Sequence, residues 1–179
     1  MAFPLITQRL SISPLQLADL ASFIRYRQDP DVARYQSWEP SYSMEQGREL
    51  IRSQEGMEFP DVGEWLQLGV RDRGTQRLIG DLALHKLEEA GVFEIGYTFA
   101  SNSQGKGYAY ESAARLVQFL FDESAAHKVI ATPDSRNSKS ISLLKRLGFA
   151  EDPAKAWVEE FKGETVSVQF FELHRPRTN

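Results

Sequence analysis

The sequence places a glycine-rich loop directly after a predicted strand and directly before a predicted helix. The loop carries Gly105 and Gly107, and a helical pattern of apolar residues begins behind it. Glycine lets backbone N–H groups approach a ligand closely, and a helix N-terminus adds unsatisfied donors and the positive end of its dipole. The loop therefore predicts a binding site for a phosphate or pyrophosphate. A turn that only connects strand to helix is the alternative.

Two common phosphate-binding motifs do not fit this loop. A dinucleotide fingerprint that starts at Gly105 needs a third glycine where Tyr110 stands. A P-loop needs serine or threonine after Gly105-Lys106, where Gly107 stands. The sequence has no G-x-S-x-G elbow, and its three histidines are scattered, so neither a hydrolase triad nor a metal site is expected.

The loop is one of several sequence motifs that occur together along the chain. The pattern Q-x-x-G-x-[GA] is met by Gln104, Gly105, Lys106, Gly107, Tyr108 and Ala109. Further along, Asn137-Ser138-Lys139-Ser140 opens a predicted helix that ends in Arg146-Leu147-Gly148-Phe149. Together these segments resemble the two signatures of the GNAT acetyltransferase superfamily. Three other segments are similar to its RimJ/RimL-like branch: Glu94-Ile95-Gly96-Tyr97 before the loop, residues 8–12 and residues 29–35.

The resemblance implies acetyl-CoA as co-substrate and no metal. The pyrophosphate is expected on the backbone amides of the loop, in agreement with the anion site inferred above. The pantetheine arm is expected to pair with the preceding strand, along Tyr97, Thr98 and Phe99, in a slot beside a splayed parallel neighbour. Asn137 matches the residue that hydrogen-bonds the arm, although a plain helix cap also explains an asparagine there.

The same resemblance provides candidates for the acid and the base. Many GNAT enzymes protonate the leaving thiolate from a tyrosine, and Leu144 occupies that position here. Ser140 matches the serine of RimJ/RimL-like enzymes and is the predicted acid; a serine that only bonds the backbone is the alternative. Glu94 is the predicted base, acting through water, with an exposed strand residue or a substrate anchor as alternatives. Three residues are candidates for the acceptor site: Trp38, Asp81 and His85.

The elements around these residues predict a mixed α/β fold of the GNAT type, flanked by helices. Alternating apolar residues predict a strand over residues 9–13, then three strands near 66–70, 78–87 and 92–99 that form an antiparallel meander. A helix over residues 107–121 leads to a short strand at 128–131, expected to run parallel to the third meander strand and to diverge from it. A final strand is predicted over residues 165–174.

Capping residues predict where the other helices begin and end. Ser13 before Pro14 is typical of a helix start with proline at the first position. Ser43 and Gln46 form a predicted capping box for a helix over residues 44–54. A helix over residues 138–147 precedes Gly148, which stands where a C-terminal glycine cap belongs.

Composition limits the remaining possibilities. The chain has 179 residues and a formal net charge of −4, which fits one domain over residues 1–179 and disfavours nucleic acid as a partner. The absence of cysteine excludes disulfides, thiolate metal sites and a cysteine nucleophile. The sequence has neither a signal-peptide pattern nor an apolar run of membrane length, so a cytoplasmic protein with no membrane partner is expected.

Three functions are compatible with these features to different degrees. The first is an acetyltransferase that moves the acetyl group of acetyl-CoA to a primary amine by direct transfer in a ternary complex. Its acceptor is a protein N-terminus or a small-molecule amine, and a homodimer is left open. The second is a non-catalytic acyl-CoA-binding sensor on the same scaffold, against which Ser140 and Asn137 both argue. The third, a nucleic-acid-binding module, lacks the expected basic excess.

Overall fold

In the computed structural model, which describes residues 3–176, ten strands form an eight-stranded sheet and a separate two-stranded hairpin. The strands are β1 (Leu5–Ile6), β2 (Leu10–Pro14), β3 (Trp65–Asp72), β4 (Leu78–Lys86), β5 (Val92–Phe99), β6 (Lys128–Ala131), β7 (Ala150–Glu151), β8 (Trp157–Phe161), β9 (Glu164–Val168) and β10 (Phe171–His174). The large sheet has the order β1-β2-β3-β4-β5-β6-β10-β7, and β8 pairs with β9.

Helices cover both faces of the large sheet. They are α1 (Leu20–Arg27), α2 (Pro30–Ala33), α3 (Met44–Ser53), α4 (Tyr108–Glu123) and α5 (Ser138–Arg146). Leu116 of α4 shares a buried core with Leu82 of β4. Tyr26 of α1 instead bonds Asp81, the neighbour of Leu82, and successive strand residues point to opposite faces. Within residues 3–176, no helix combines the length and apolarity needed to cross a bilayer.

The predicted meander and the diverging parallel pair are both confirmed. Strands β2 to β5 pair antiparallel in sequence order. Strands β5 and β6 run parallel, but they pair only over the first three residues of β5, ending where Glu94 meets Ile130. Since β5 continues to Phe99, its edge beyond Glu94 borders a slot between the two strands. This is the mixed α/β arrangement expected from the sequence.

The predicted helix start at Ser13-Pro14 is wrong. Pro14 is the last residue of β2 and pairs with β3, and a 3-10 turn at Leu17–Asp19 precedes α1. The Ser13 hydroxyl accepts a hydrogen bond from Arg71 Nη1 at 2.8 Å instead of capping a helix. Pairing with β3 therefore outweighs the local capping signal.

The single strand predicted over residues 165–174 is two strands with different partners. Strand β9 pairs with β8 in the hairpin, whereas β10 lies between β6 and β7 in the large sheet. Phe171, the first residue of β10, is fully buried. No pattern in the sequence predicts β8, because its residues are mostly exposed and show no apolar alternation.

The other predicted caps are confirmed. The amide of Gln46 donates to Ser43 Oγ at 3.1 Å, and the amide of Ser43 donates to Gln46 Oε1 at 2.7 Å, so α3 begins at Met44. Gly148 follows α5 with a φ of +89°, the left-handed conformation that favours glycine. Gly107 is the N-cap of α4, which therefore begins one residue later than predicted.

Candidate active site

One face of the central sheet carries a group of polar and aromatic side chains. The strand register aligns Trp65, His85 and Glu94 in one row across β3, β4 and β5. Asp81 and Thr98 form a second row on the same face, because every second residue of a strand points to the same side. Two of the candidate acceptor-site residues and the predicted base therefore share this face.

An open cleft of about 800 Å³ lies over this face. Trp38 and Asp81 line it, together with the Gly96, Tyr97 and Thr98 segment of β5. His85 lies beside the cleft, stacked on the lining residue Trp65 with ring centroids 4.4 Å apart. The cleft thus reaches the part of β5 that has left β6, where the slot begins.

Asp81 lies at the floor of the cleft and is 1% exposed. Its carboxylate accepts hydrogen bonds from the Tyr26 hydroxyl and from Gln67 Nε2, the latter at 2.7 Å. Burial raises the pKa of Asp81, against the opposing effects of the Arg27 guanidinium and of these hydrogen bonds. Burial and the neighbouring carboxylate raise the pKa of Tyr26 well above its ordinary value. The network fixes the end of α1 to the sheet beneath the cleft.

The wall that carries Trp38 is held by Lys162, a residue with no predicted role in the site. Lys162, in the turn of the β8–β9 hairpin, donates from Nζ to the carbonyls of Ala33 at 2.8 Å and Trp38 at 2.6 Å. Trp38 Nε1 in turn donates to the carbonyl of Arg27 at 3.1 Å. These contacts join segments far apart in the chain, so no local pattern could have indicated them.

The glycine-rich loop presents unoccupied backbone donors. Gly105 and Gly107 have φ values of +73° and +80°. Among residues 3–176, no hydrogen bond occupies the backbone amides of residues 105–109, as expected where a helix begins. Arg9 supports the loop by donating from Nη1 to the carbonyl of Lys106 at 3.0 Å. The result is a preformed cradle of donors suited to an anion.

The other loop residues position this cradle. Gln104 Nε2 donates to the carbonyl of Phe99 at 3.0 Å, and Lys139 Nζ lies 3.5 Å from Gln104 Oε1. The Arg9 guanidinium covers the ring of Tyr108 at 4.5 Å, and Ala109 packs against the core. Side chains therefore hold the loop while its amides stay available.

Ser140 and Tyr97 connect the two sides of the slot. Tyr97 extends from β5, and its hydroxyl lies 2.8 Å from Ser140 Oγ in the first turn of α5. Burial raises the pKa of Tyr97 to about 12, so its hydroxyl stays protonated at neutral pH. Asn137 caps α5 by accepting from the Ser140 amide at 3.1 Å, and Leu144 is fully buried. The family resemblance implies only a backbone role for Tyr97 and gives no indication of this side-chain contact.

Glu94 stands where β5 and β6 part. Thr132 Oγ1 donates to Glu94 Oε1 at 2.7 Å, and His85 Nδ1 lies 3.4 Å from Oε2. The Glu94 side chain is 19% exposed, which leaves it a path to water. A carboxylate with fixed orientation and access to water can accept a proton from a nearby amine.

Comparison with known proteins identifies the family of the chain. Residues 9–150 match the family described as acetyltransferase (GNAT) domain. The chain is 28% identical over 170 residues to the uncharacterized N-acetyltransferase p20 of Bacillus licheniformis, covering 94% of each chain. It is 28% identical over 98 residues to the ribosomal protein uS5-alanine N-acetyltransferase of Escherichia coli, covering 53% of this chain and 50% of that one.

The fold is similar to a crystal structure of spermidine N-acetyltransferase from Vibrio cholerae in complex with CoA and spermine. The TM-score is 0.80 at 23% sequence identity, and the match covers 94% of this chain and 97% of that chain. The chain belongs to the GNAT acetyltransferase family, resembles its RimJ/RimL-like members, and is an acetyl-CoA-dependent acetyltransferase. Its relatives are named for different amines, so membership of the family does not identify the amine that this protein acetylates.

Proposed function

We propose that this GNAT acetyltransferase moves the acetyl group of acetyl-CoA directly to a primary amine in a ternary complex. The observation that carries the proposal is the parting of β5 and β6 after Glu94, with the donor cradle beyond it and Ser140 across from β5. The slot offers an unpaired strand edge to the pantetheine arm and opens onto the 800 Å³ cleft. The two substrates then meet at the edge of β5.

In this proposal the cofactor binds mainly to backbone. The pyrophosphate accepts hydrogen bonds from the free amides of residues 105–109, whereas the Gln104 amide is used by the Ser101 carbonyl. The arm pairs with the edge of β5 along Tyr97, Thr98 and Phe99. Asn137 uses its side-chain oxygen as a helix cap, which leaves its amide N–H groups to donate to the arm. No metal takes part.

The chemistry has a proton donor and a proton acceptor. The amine nitrogen attacks the thioester carbonyl, and the carbon–sulfur bond breaks as the tetrahedral intermediate collapses. Glu94 takes the amine proton through water, and Ser140 gives its hydroxyl proton to the leaving thiolate. The proton on Glu94 then returns through water to the Ser140 oxygen, so that both groups regain their starting states. A backbone amide near Tyr97 or Thr98 stabilises the oxyanion. No acetyl-enzyme forms.

Tyr97 supports Ser140 in this step as a positioning residue. When the Tyr97 hydroxyl donates to Ser140 Oγ, the serine proton points away from Tyr97, and the same bond stabilises the oxygen as that proton leaves. We expect Tyr97→Phe to lower kcat by about tenfold, the worth of one neutral hydrogen bond, with little change in the KM for acetyl-CoA. Free-thiol release measures both constants.

A double-mutant cycle separates this role from simple packing. If Tyr97 acts through Ser140, the loss on Tyr97→Phe disappears in a Ser140→Ala background. Because the pKa of Tyr97 is about 12, the rate of the parent enzyme should show no ionisation of this tyrosine below pH 10. Additive losses in the cycle would assign Tyr97 a packing role.

Gly107→Val should weaken CoA binding by about tenfold or more. A β-branched residue at a φ of +80° costs on the order of 1–3 kcal/mol, and its side chain crowds the amides of the cradle. Titration calorimetry with CoA measures the effect. Gly56→Val is the matched control, because Gly56 has a φ of +81° with open space around it and lies outside the loop. Unchanged CoA affinity in a folded Gly107→Val protein would contradict the proposal that the loop amides bind the pyrophosphate.

A screen of amine acceptors tests the reaction itself. Protein N-terminal peptides, polyamines, aminosugars and amino acids are incubated with acetyl-CoA, and release of free thiol is measured. Release that depends on an amine supports the acetyltransferase. Tight CoA binding without thiol release from any acceptor would favour the acyl-CoA-binding sensor.

A further inference from the structure

Arg27 is a buried cation in the lining of the acceptor cleft. It is the last residue of α1, and its side chain is 5% exposed. The ring centroids of Trp38 and Phe23 lie 3.7 and 4.2 Å from its Cζ atom. The Tyr42 ring centroid lies 5.0 Å from the same atom, so three aromatic rings surround the guanidinium and hold it in place. Only the N–H groups in the guanidinium plane remain for hydrogen bonds.

These N–H groups have no hydrogen-bond partner among residues 3–176. Arg27 Nε is buried without an acceptor, and Nη2 lies 3.9 Å from Asp81 Oδ2, which is too long for a hydrogen bond. A buried guanidinium with unused donors is costly, and buried charges in folded proteins are normally paired. Asp81 provides a counter-charge at 3.9 Å but no hydrogen bond, so the guanidinium keeps donors for an acceptor that residues 3–176 do not supply.

The acidic groups at the cleft are already occupied. The Asp81 oxygens accept from Tyr26 and Gln67, and Asp81 is too deep to meet a ligand. Glu39 at the rim lies 3.8 Å from the Lys162 ammonium. The Arg27 guanidinium, in contrast, donates no hydrogen bond to any of residues 3–176, and it lines the same cleft.

We infer that Arg27 binds a carboxylate on the acceptor, so that the substrate is an amine that also carries a carboxylate, such as an amino acid. The inference rests on the proposed function. A guanidinium is planar and presents its donors in one plane, which is the geometry that a carboxylate matches with two oxygens. The carboxylate anchors the molecule at the wall of Trp38 and Arg27, while the amine extends toward the edge of β5.

The test uses binding, so it does not depend on turnover. The protein saturated with CoA, which has no acetyl group to transfer, is titrated by calorimetry with matched pairs of ligands. The pairs are phenylalanine with phenethylamine, leucine with isoamylamine and lysine with cadaverine; an N-terminal peptide amide is added. In at least one pair we expect the amino acid to bind about 10- to 100-fold more tightly than its amine, as for a charge-assisted hydrogen bond.

Substitutions at Arg27 test whether this residue causes the tighter binding of the amino acid. Arg27→Met should bring the affinity for the amino acid down to that of the amine and leave the amine unchanged; Arg27→Lys should recover only part, since it lacks the planar fork. Arg34→Met is the control, at an exposed arginine of the neighbouring segment. Three results overturn the inference: equal binding within every pair, tighter binding of the amines or the peptide, or no binding of any ligand. These results come from the parent protein, so they count even if an Arg27 variant fails to fold. Acetylation of amines without a carboxylate would leave the proposed function standing.

Discussion

Ser140→Ala should lower kcat by about 10²- to 10⁴-fold, the usual worth of a positioned general acid, while the KM for acetyl-CoA changes much less. Without the hydroxyl, no side chain of residues 3–176 is placed to protonate the thiolate as it leaves. The Tyr97 hydroxyl stays 3.2 Å from the Ser140 carbonyl and does not replace the lost donor. Free-thiol release at saturating amine measures kcat, and calorimetry with CoA checks binding.

Ser138→Ala is the matched control for this variant. Ser138 is the first residue of the same helix and is exposed, so its loss should leave both constants unchanged. Direct transfer also predicts intersecting lines in initial-rate plots with both substrates varied. Ping-pong kinetics, or a trapped acetyl group on Ser140, would show that the serine is a nucleophile.

The position of the histidines supports an acid rather than a nucleophile. A serine nucleophile needs an adjacent base. His127 precedes β6, and its amide bonds the carbonyl of Gly91 at the start of β5. Ser140 follows the other end of β6, where the strands have parted. His85 contacts Glu94, so neither of these two histidines lies beside the Ser140 hydroxyl.

Local signals in the sequence carry much of the fold and the cofactor end of the site. The alternation in β5, the glycines before α4 and the Ser43 capping box each depend on neighbours within a few residues, and each predicted element is present. Ser13-Pro14 failed because the partner strand β3, which decides its conformation, lies far along the chain. A pattern of neighbouring residues contains no information about a pairing strand so distant in the sequence.

The acceptor end of the site depends on contacts between distant segments. Arg27 becomes a candidate ligand-binding residue only because the fold brings Trp38 against its guanidinium and Asp81 close to it. The hairpin residue Lys162 then holds the segment that carries Trp38. Tyr97 and Ser140 likewise meet only because α5 packs across the slot. These pairs depend on tertiary packing, which single-sequence patterns do not encode.

Glu94→Gln should lower kcat/KM for the amine by about 10²- to 10⁴-fold at neutral pH and leave CoA affinity unchanged. Glutamine keeps the volume of the side chain, and its oxygen can still accept from Thr132, so the geometry at the mouth of the slot is preserved. What is lost is the group that takes the amine proton. The rate of the variant should therefore recover as pH rises and the free amine becomes abundant. A pH–rate profile measured by thiol release tests this.

Glu88→Gln, at an exposed position beyond β4, is the control. A variant that keeps the parent rate and pH profile would make Glu94 a structural residue of the strand and move the search for the base elsewhere in the cleft.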